Sequence, residues 1–123
     1  MLKPKSPTPY KYLLFLATVL PLILFACATE PTTKEIQLVA EDIVWSQDLI
    51  EVEVGQVVRV NLSNAGALDH DLVIEEMGVD IALAPGESAI IELVFTEAGT
   101  FEYICSVPGH EEAGMVGEIV VGQ

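Results

Sequence analysis

Histidine and cysteine are scarce in this chain, two of each in 123 residues. That scarcity excludes a site needing four or more imidazoles, a four-cysteine zinc site and an iron–sulfur cluster held by four cysteines. It also leaves room for one disulfide at most, between Cys27 and Cys105. Basic residues are nearly as rare: 5 Lys and Arg stand against 19 Asp and Glu, a formal net charge of −14. Such a chain lacks the basic surface that displaces counterions from nucleic acid, so no nucleic-acid partner is expected. Convincing amphipathic helical periodicity, internal repeats and low-complexity tracts are missing as well. Apolar residues, by contrast, make up 51% of the chain, enough for a packed core. The length fits one small domain and not two.

The basic residues are placed unevenly. Lys3, Lys5 and Lys11 precede the uncharged run YLLFLATVLPLILFACA, and no acid occurs before Glu30. A basic start followed by an apolar stretch of this length reads as a secretory signal over residues 1–27. Leu24-Phe25-Ala26-Cys27 resembles the lipobox of bacterial lipoproteins, in which the Cys becomes the lipidated N-terminus; Phe25 is unusual there. An uncleaved membrane anchor and an ordinary cleaved signal are the other readings, although the run is short for a span of about 20 residues and contains Pro21. Each version places residues 28–123 outside the cytoplasm, and lipidation or an anchor would hold them at a membrane. Residues 28–34, ATEPTTK, read as a linker that reaches at most ~23–25 Å when extended. From Cys27 onward the chain carries all 19 acids and only Lys34 and Arg59 as bases, a field that favours encounter with a basic partner.

From residue 35 the pattern is all β. Ile36, Leu38 and Ala40 alternate with more polar neighbours, as do Ile50, Val52 and Val54, and Val58, Val60 and Leu62. Residues 70–75, 89–95, 100–105 and 115–121 continue the set, while 76–88 gives no clear signal. Period-two alternation marks strands with one buried face. Turn residues separate the strands at Asn64-Ala65-Gly66, Pro85-Gly86 and Glu97-Ala98-Gly99. Seven to eight short strands in about 90 residues predict a Greek-key β-sandwich over residues 35–123.

The chemistry gathers near the C-terminus. Alternation along TFEYIC puts Phe101, Tyr103 and Cys105 on one face, so Cys105 points inward at a strand end. The stretch after it gives the spacing Cys-x4-His-x4-Met through His110 and Met115, and the other histidine, His70, begins an earlier strand. Taken singly, an inward Cys is an inert small apolar residue, a Met opening a strand is core, and a His before a strand is a surface or capping residue. Jointly, both histidines, the domain's one free thiol and a Met fit a single ligand set. One thiolate, two imidazoles and a weak thioether suit copper; structural zinc wants four good donors, and magnesium or calcium wants oxygen.

These residues carry a family resemblance. VEVGQVVRVNLSNAG at 52–66, DHDL around His70 and GTFEYICSVPGHEEAGMVGEIVV at 99–121 look like the cupredoxins, the blue-copper family of plastocyanin, azurin, halocyanin and auracyanin. The Cys–His spacing is nearer the auracyanin type than the plastocyanin type. The resemblance implies an eight-stranded sandwich with copper at one end. His70, Cys105 and His110 would be equatorial ligands, each His through Nδ1, with Met115 axial. It further implies that the N–H of Asp71 donates to the Cys sulfur. Val107, which keeps its N–H, is a second candidate donor. The family usually carries Asn where Asp71 stands, and a carboxylate there favours Cu(II) and a low potential.

The function expected is one-electron transfer, Cu(II)/Cu(I), by a membrane-tethered monomer that docks briefly with redox proteins such as a cytochrome or a membrane oxidoreductase. The edge of His110, rimmed by Val107, Pro108, Gly109, Ala113, Gly114 and Met115, would be the electron port. The alternative is an envelope copper-binding or chaperone protein. Such proteins present exposed Met or His clusters, whereas of Met1, Met77 and Met115 only Met115 falls in a ligand pattern. Enzymes with several copper centres need many more histidines than this chain has, and a dinuclear centre needs a second Cys in the loop. The acidic pairs Glu75-Glu76, Glu111-Glu112 and Asp69-x-Asp71 read as solvated surface.

Overall fold

The computed structural model describes residues 2–3 and 30–123. The signal, lipidation or anchor readings for residues 1–27, with Cys27, therefore lie outside the described residues apart from Leu2 and Lys3; so do Ala28 and Thr29 of the linker. Among the described residues no helix is long and apolar enough to cross a membrane.

The described chain is an all-β sandwich of nine strands: β1 (Thr33–Glu41), β2 (Val44–Trp45), β3 (Leu49–Glu53), β4 (Val57–Asn64), β5 (His70–Ile74), β6 (Val79–Leu83), β7 (Ser88–Val94), β8 (Gly99–Ile104) and β9 (Val116–Gly122). One sheet has the order β2-β1-β4-β7, the other β3-β9-β8-β5-β6. Both are mixed: β1 runs parallel to β4 and β3 parallel to β9, and the other pairs are antiparallel.

Alternation sets which side chains go inside. Along β1, Ile36, Leu38 and Ala40 are buried; along β4, Val58, Val60, Leu62 and Asn64 are buried. The other sheet contributes Ile50, Val52, Leu72, Ile74, Tyr103, Ile119 and Val121 to the same apolar core. Each buried Val, Leu or Ile side chain gains roughly 1.5–3 kcal/mol from leaving water, and slipping any strand by one residue would turn that set outward. On the outer face Arg59 pairs with Glu35 and Glu92 across three strands, an exposed arrangement of small energetic weight.

Two strands have no counterpart among the segments legible in sequence. β2 is two residues long, too short for alternation to register. β6 lies in the unclear stretch 76–88, where a 3₁₀ turn at Glu75–Met77, closed by Gly78 in the left-handed region, precedes it. The count is thus nine where seven to eight were expected. β1 begins at Thr33, inside the segment read as linker, because its first residues already pair with Val57 and Val58 of β4. Val54 falls just past the end of β3 and is half exposed at the turn.

Candidate metal centre

One end of the sandwich gathers the chemistry-bearing side chains. His70 is the first residue of β5, paired with Leu83 of β6, and is 1% exposed. Cys105 follows the last residue of β8 and is fully buried; Met115 precedes β9 and is fully buried too. Between them the chain leaves the β8–β9 ladder and returns to it, since Ile104 and Val116 are register partners.

The loop is closed by its own backbone. Cys105 N–H donates to Met115 O at 3.1 Å, Met115 N–H to His110 O at 3.0 Å, and His110 N–H to Val107 O at 2.9 Å. The residues directly before His110 and Met115 are Gly109 and Gly114, at φ 87° and 98°. Those left-handed positions strain any side chain, and they let the loop turn twice within a few residues. Trp45 of β2 reaches across from the other sheet and donates its indole N–H to Met115 O at 3.2 Å.

The result is a convergence of donor atoms. Cys105 Sγ lies 3.7 Å from His70 Nδ1 and 3.4 Å from His110 Nδ1, and the three donor atoms all fall within 4.8 Å of one another. The imidazole centroids are 4.9 Å apart. His110 keeps only 6% of its surface exposed.

Asp71 N–H approaches Cys105 Sγ at 3.5 Å, and its carboxylate accepts from both the N–H and the hydroxyl of Ser106. β5 is thereby fastened to the residue after the thiol. Burial pushes the Cys105 thiol above its ordinary pKa and the Asp71 carboxylate adds to that, while the N–H groups of Asp71 and Val107 pull against it. A cation between the sulfur and the imidazoles acts in the opposite sense and takes the thiol to thiolate. Two imidazole nitrogens, one sulfur and an adjoining buried Met suit a soft or borderline metal, and the arrangement is consistent with a type 1 copper site.

A cupredoxin-like domain model matches residues 14–121. The chain belongs to the cupredoxin-like family. Among curated proteins it is similar to the copper-resistant cuproprotein CopI of Rubrivivax gelatinosus, 36% identical over 92 residues, which cover 58% of this chain and 56% of that protein. The chain thus spans little more than half the length of that relative. The CopI of Pseudomonas aeruginosa is 25% identical, with 72% of this chain and 76% of that one covered. Among solved structures, dithionite-reduced auracyanin from Roseiflexus castenholzii superposes with a TM-score of 0.66 at 20% identity, covering 75% of this chain and 99% of that one. That last likeness is one of fold.

Within this cupredoxin-like frame two residues beside the site escaped sequence reasoning. Asp42, in the turn between β1 and β2, places Oδ1 3.6 Å from His70 Nε2. Its carboxylate also accepts from the N–H groups of Ala67 and Leu68. Desolvation pushes the Asp42 carboxyl up, but the hydrogen bonds from Leu68 and Ala67, together with the nearby His70 imidazole, outweigh it and hold the group below the usual carboxylate range. Spacing along the chain gives no hint of this contact, since the turn and His70 belong to different sheets. Trp45 left a better trace. It is the chain's only Trp, and a buried indole N–H calls for an acceptor.

Proposed function

We propose that this protein is a one-electron carrier in which His70, Cys105, His110 and Met115 would hold copper. The observation that carries this reading is the meeting of Cys105 Sγ with two imidazole Nδ1 atoms in a buried pocket. Copper bound there would take up and release one electron as Cu(II)/Cu(I). The protein's part is to keep the donors still. A strand end and a self-bonded loop fix them before the electron arrives, so that little reorganisation accompanies transfer.

The reading extends to surroundings and partners. A basic, apolar N-terminal segment ending near Cys27 supports an extracytoplasmic location at a membrane, through lipidation of Cys27 or an anchor. The acidic surface supports brief docking of a monomer with the basic face of a redox protein, a cytochrome or a membrane oxidoreductase. His110, slightly exposed beside Val107, Pro108 and Gly109, is the natural edge for the electron to cross. Electron exchange with such a partner slows as ionic strength rises, and no salt effect would remove the steering argument.

The test is spectroscopic and electrochemical. The purified domain given Cu(II) develops an intense absorption near ~600 nm from thiolate-to-copper charge transfer, with a reversible midpoint and fast self-exchange. A second reading, copper handling in the envelope, is supported by the CopI relatives, named as copper-resistant cuproproteins. It expects slow self-exchange and ready loss of copper to a competing chelator. Among the described methionines Met77 is partly buried against the core, which leaves no exposed Met cluster there for that role.

A further inference from the structure

His70 Nε2 is buried and has no hydrogen-bond partner. A buried N–H left in that state has lost its hydration with no hydrogen bond in return. The group that faces it is the Asp42 carboxylate, with Oδ1 3.6 Å away.

That carboxylate is held in place from several directions. Ala67 N–H and Leu68 N–H donate to it at 2.9 and 3.2 Å. The next residue, Ile43, sits at φ 64°, a left-handed conformation that a β-branched side chain adopts only under constraint. On the far side, Gly66 leaves no room for a side chain: a Cβ there would stand 2.3 Å from Asp42 Oδ1 and 3.2 Å from Asp42 N. The Gly66 loop is itself fixed by Asn64, whose side chain accepts from Gly66 N–H and donates to Leu68 O and Leu83 O. A strained turn, a missing side chain and two backbone donors thus aim one carboxylate at one imidazole nitrogen, and they do so across the two sheets.

We propose that Asp42 is a positioning residue for His70: its carboxylate accepts the Nε2–H, fixes the tautomer and ring plane, and so leaves the Nδ1 lone pair facing Cys105 Sγ. The opposite tautomer sets the Nε2 lone pair against a carboxylate and turns Nδ1–H toward the sulfur, which blocks that nitrogen as a donor to metal. A metal-bound imidazole that gives its other N–H to a carboxylate is also a more basic ligand, which favours Cu(II) over Cu(I). The inference rests on His70 being a copper ligand, as proposed above. Capping Ala67 and Leu68 would account for Asp42 without His70, so the test has to read His70 itself.

Nitrogen-15 spectra of the metal-free protein supply that reading. Wild type shows His70 in the Nε2–H form alone. Asp42→Ala mixes the tautomers and weakens Cu(II) binding by about tenfold or more. Asp42→Asn keeps an acceptor oxygen without the charge. It therefore keeps the tautomer, but raises the copper midpoint by about 59 mV for each tenfold loss of preference for Cu(II) over Cu(I). The proposal is overturned if Asp42→Ala leaves both the tautomer and Cu(II) affinity unchanged. If that variant does not fold, an unchanged midpoint in Asp42→Asn overturns it. A wild-type protein that binds no Cu(II) counts against the function proposed above, while the metal-free tautomer still decides the contact between Asp42 and His70.

Discussion

Cys105, His110 and Met115 come from one loop that closes on itself, whereas His70 comes from a strand end watched over by a turn of the opposite sheet. The loop's internal bonds run between residues no more than ten apart in sequence, from Cys105 N–H to Met115 O at the longest. The His70 side depends on Asp42, Gly66, Ala67, Leu68 and the pairing of β5 with β6. One half of the site is therefore a local construction and the other a tertiary one. Damage to the loop should be felt by the proposed copper chemistry at once; damage to the His70 side should first change how the imidazole is presented.

Cys105→Ser is the largest break on the loop side. A hydroxyl is a poor copper ligand beside a thiolate and cannot supply the same charge transfer, so the band near ~600 nm is expected to vanish altogether. Absorption of the copper-loaded variant checks it. Survival of the intense blue band would remove Cys105 from the ligand set. Because the residue is fully buried and isosteric with serine, the fold is expected to persist, which a circular dichroism melt establishes.

Two glycines sharpen the contrast. Gly117 lies under Tyr103, where a Cβ would stand 2.2 Å from the ring. That ring is pinned, its hydroxyl donating to Gln47 O and its edge against Trp45. Gly117→Ala must move a fixed aromatic beneath the loop, and about 2–3 kcal/mol of stability is expected to go, as in other overpacked cores. Gly66→Ala meets chiefly the Asp42 carboxylate, which yields only by giving up its bonds to the exposed Ala67 and Leu68 N–H groups, where water can replace it. Its cost in denaturant titration is expected to be smaller, under about 1.5 kcal/mol. Equal losses would dissolve the distinction between the two halves.

How much of this was legible beforehand follows the same division. The strands could be read because each buries one face, and alternation in β1, β3, β4 and β8 survives into the burial of Ile36, Ile50, Val60 and Tyr103. The Cys-x4-His-x4-Met spacing was visible because a loop that bonds to itself keeps its proposed ligands close in sequence. Asp42 was not visible. Its relation to His70 is made by sheet packing, and an Asp in a turn has an ordinary explanation in turn chemistry. Trp45 sits in a strand of two residues, below the length at which any periodicity speaks.

Trp45→Phe probes that hidden support from the loop's side. The indole N–H is one of two donors to Met115 O, Cys105 N–H being the other. The carbonyl is therefore not orphaned by the change, and the loss is one hydrogen bond plus part of a ring, about 1–2 kcal/mol in thermal or denaturant unfolding. A variant as stable as wild type would mean that the loop's own bonds suffice and that the opposite sheet lends the Met nothing.

Asp71 is where the two halves meet. It follows His70 on β5, its N–H approaches the Cys105 sulfur, and its carboxylate holds Ser106 at the start of the loop. In Asp71→Asn the backbone donor stays and one side-chain oxygen remains to accept from Ser106 N–H, so the geometry is largely kept while the negative charge beside the thiol goes. That charge works on the site in one direction only, favouring the more positive Cu(II) over Cu(I), just as it raises the thiol's pKa in the metal-free protein. Its removal is expected to raise the midpoint by less than about 59 mV, the tenfold limit for one electron. Partial exposure of Asp71 to water keeps the effect modest. Voltammetry of both proteins at one pH and ionic strength reads it directly. A midpoint that stayed put or fell would assign Asp71 to fastening strand to loop, with no part in setting the potential.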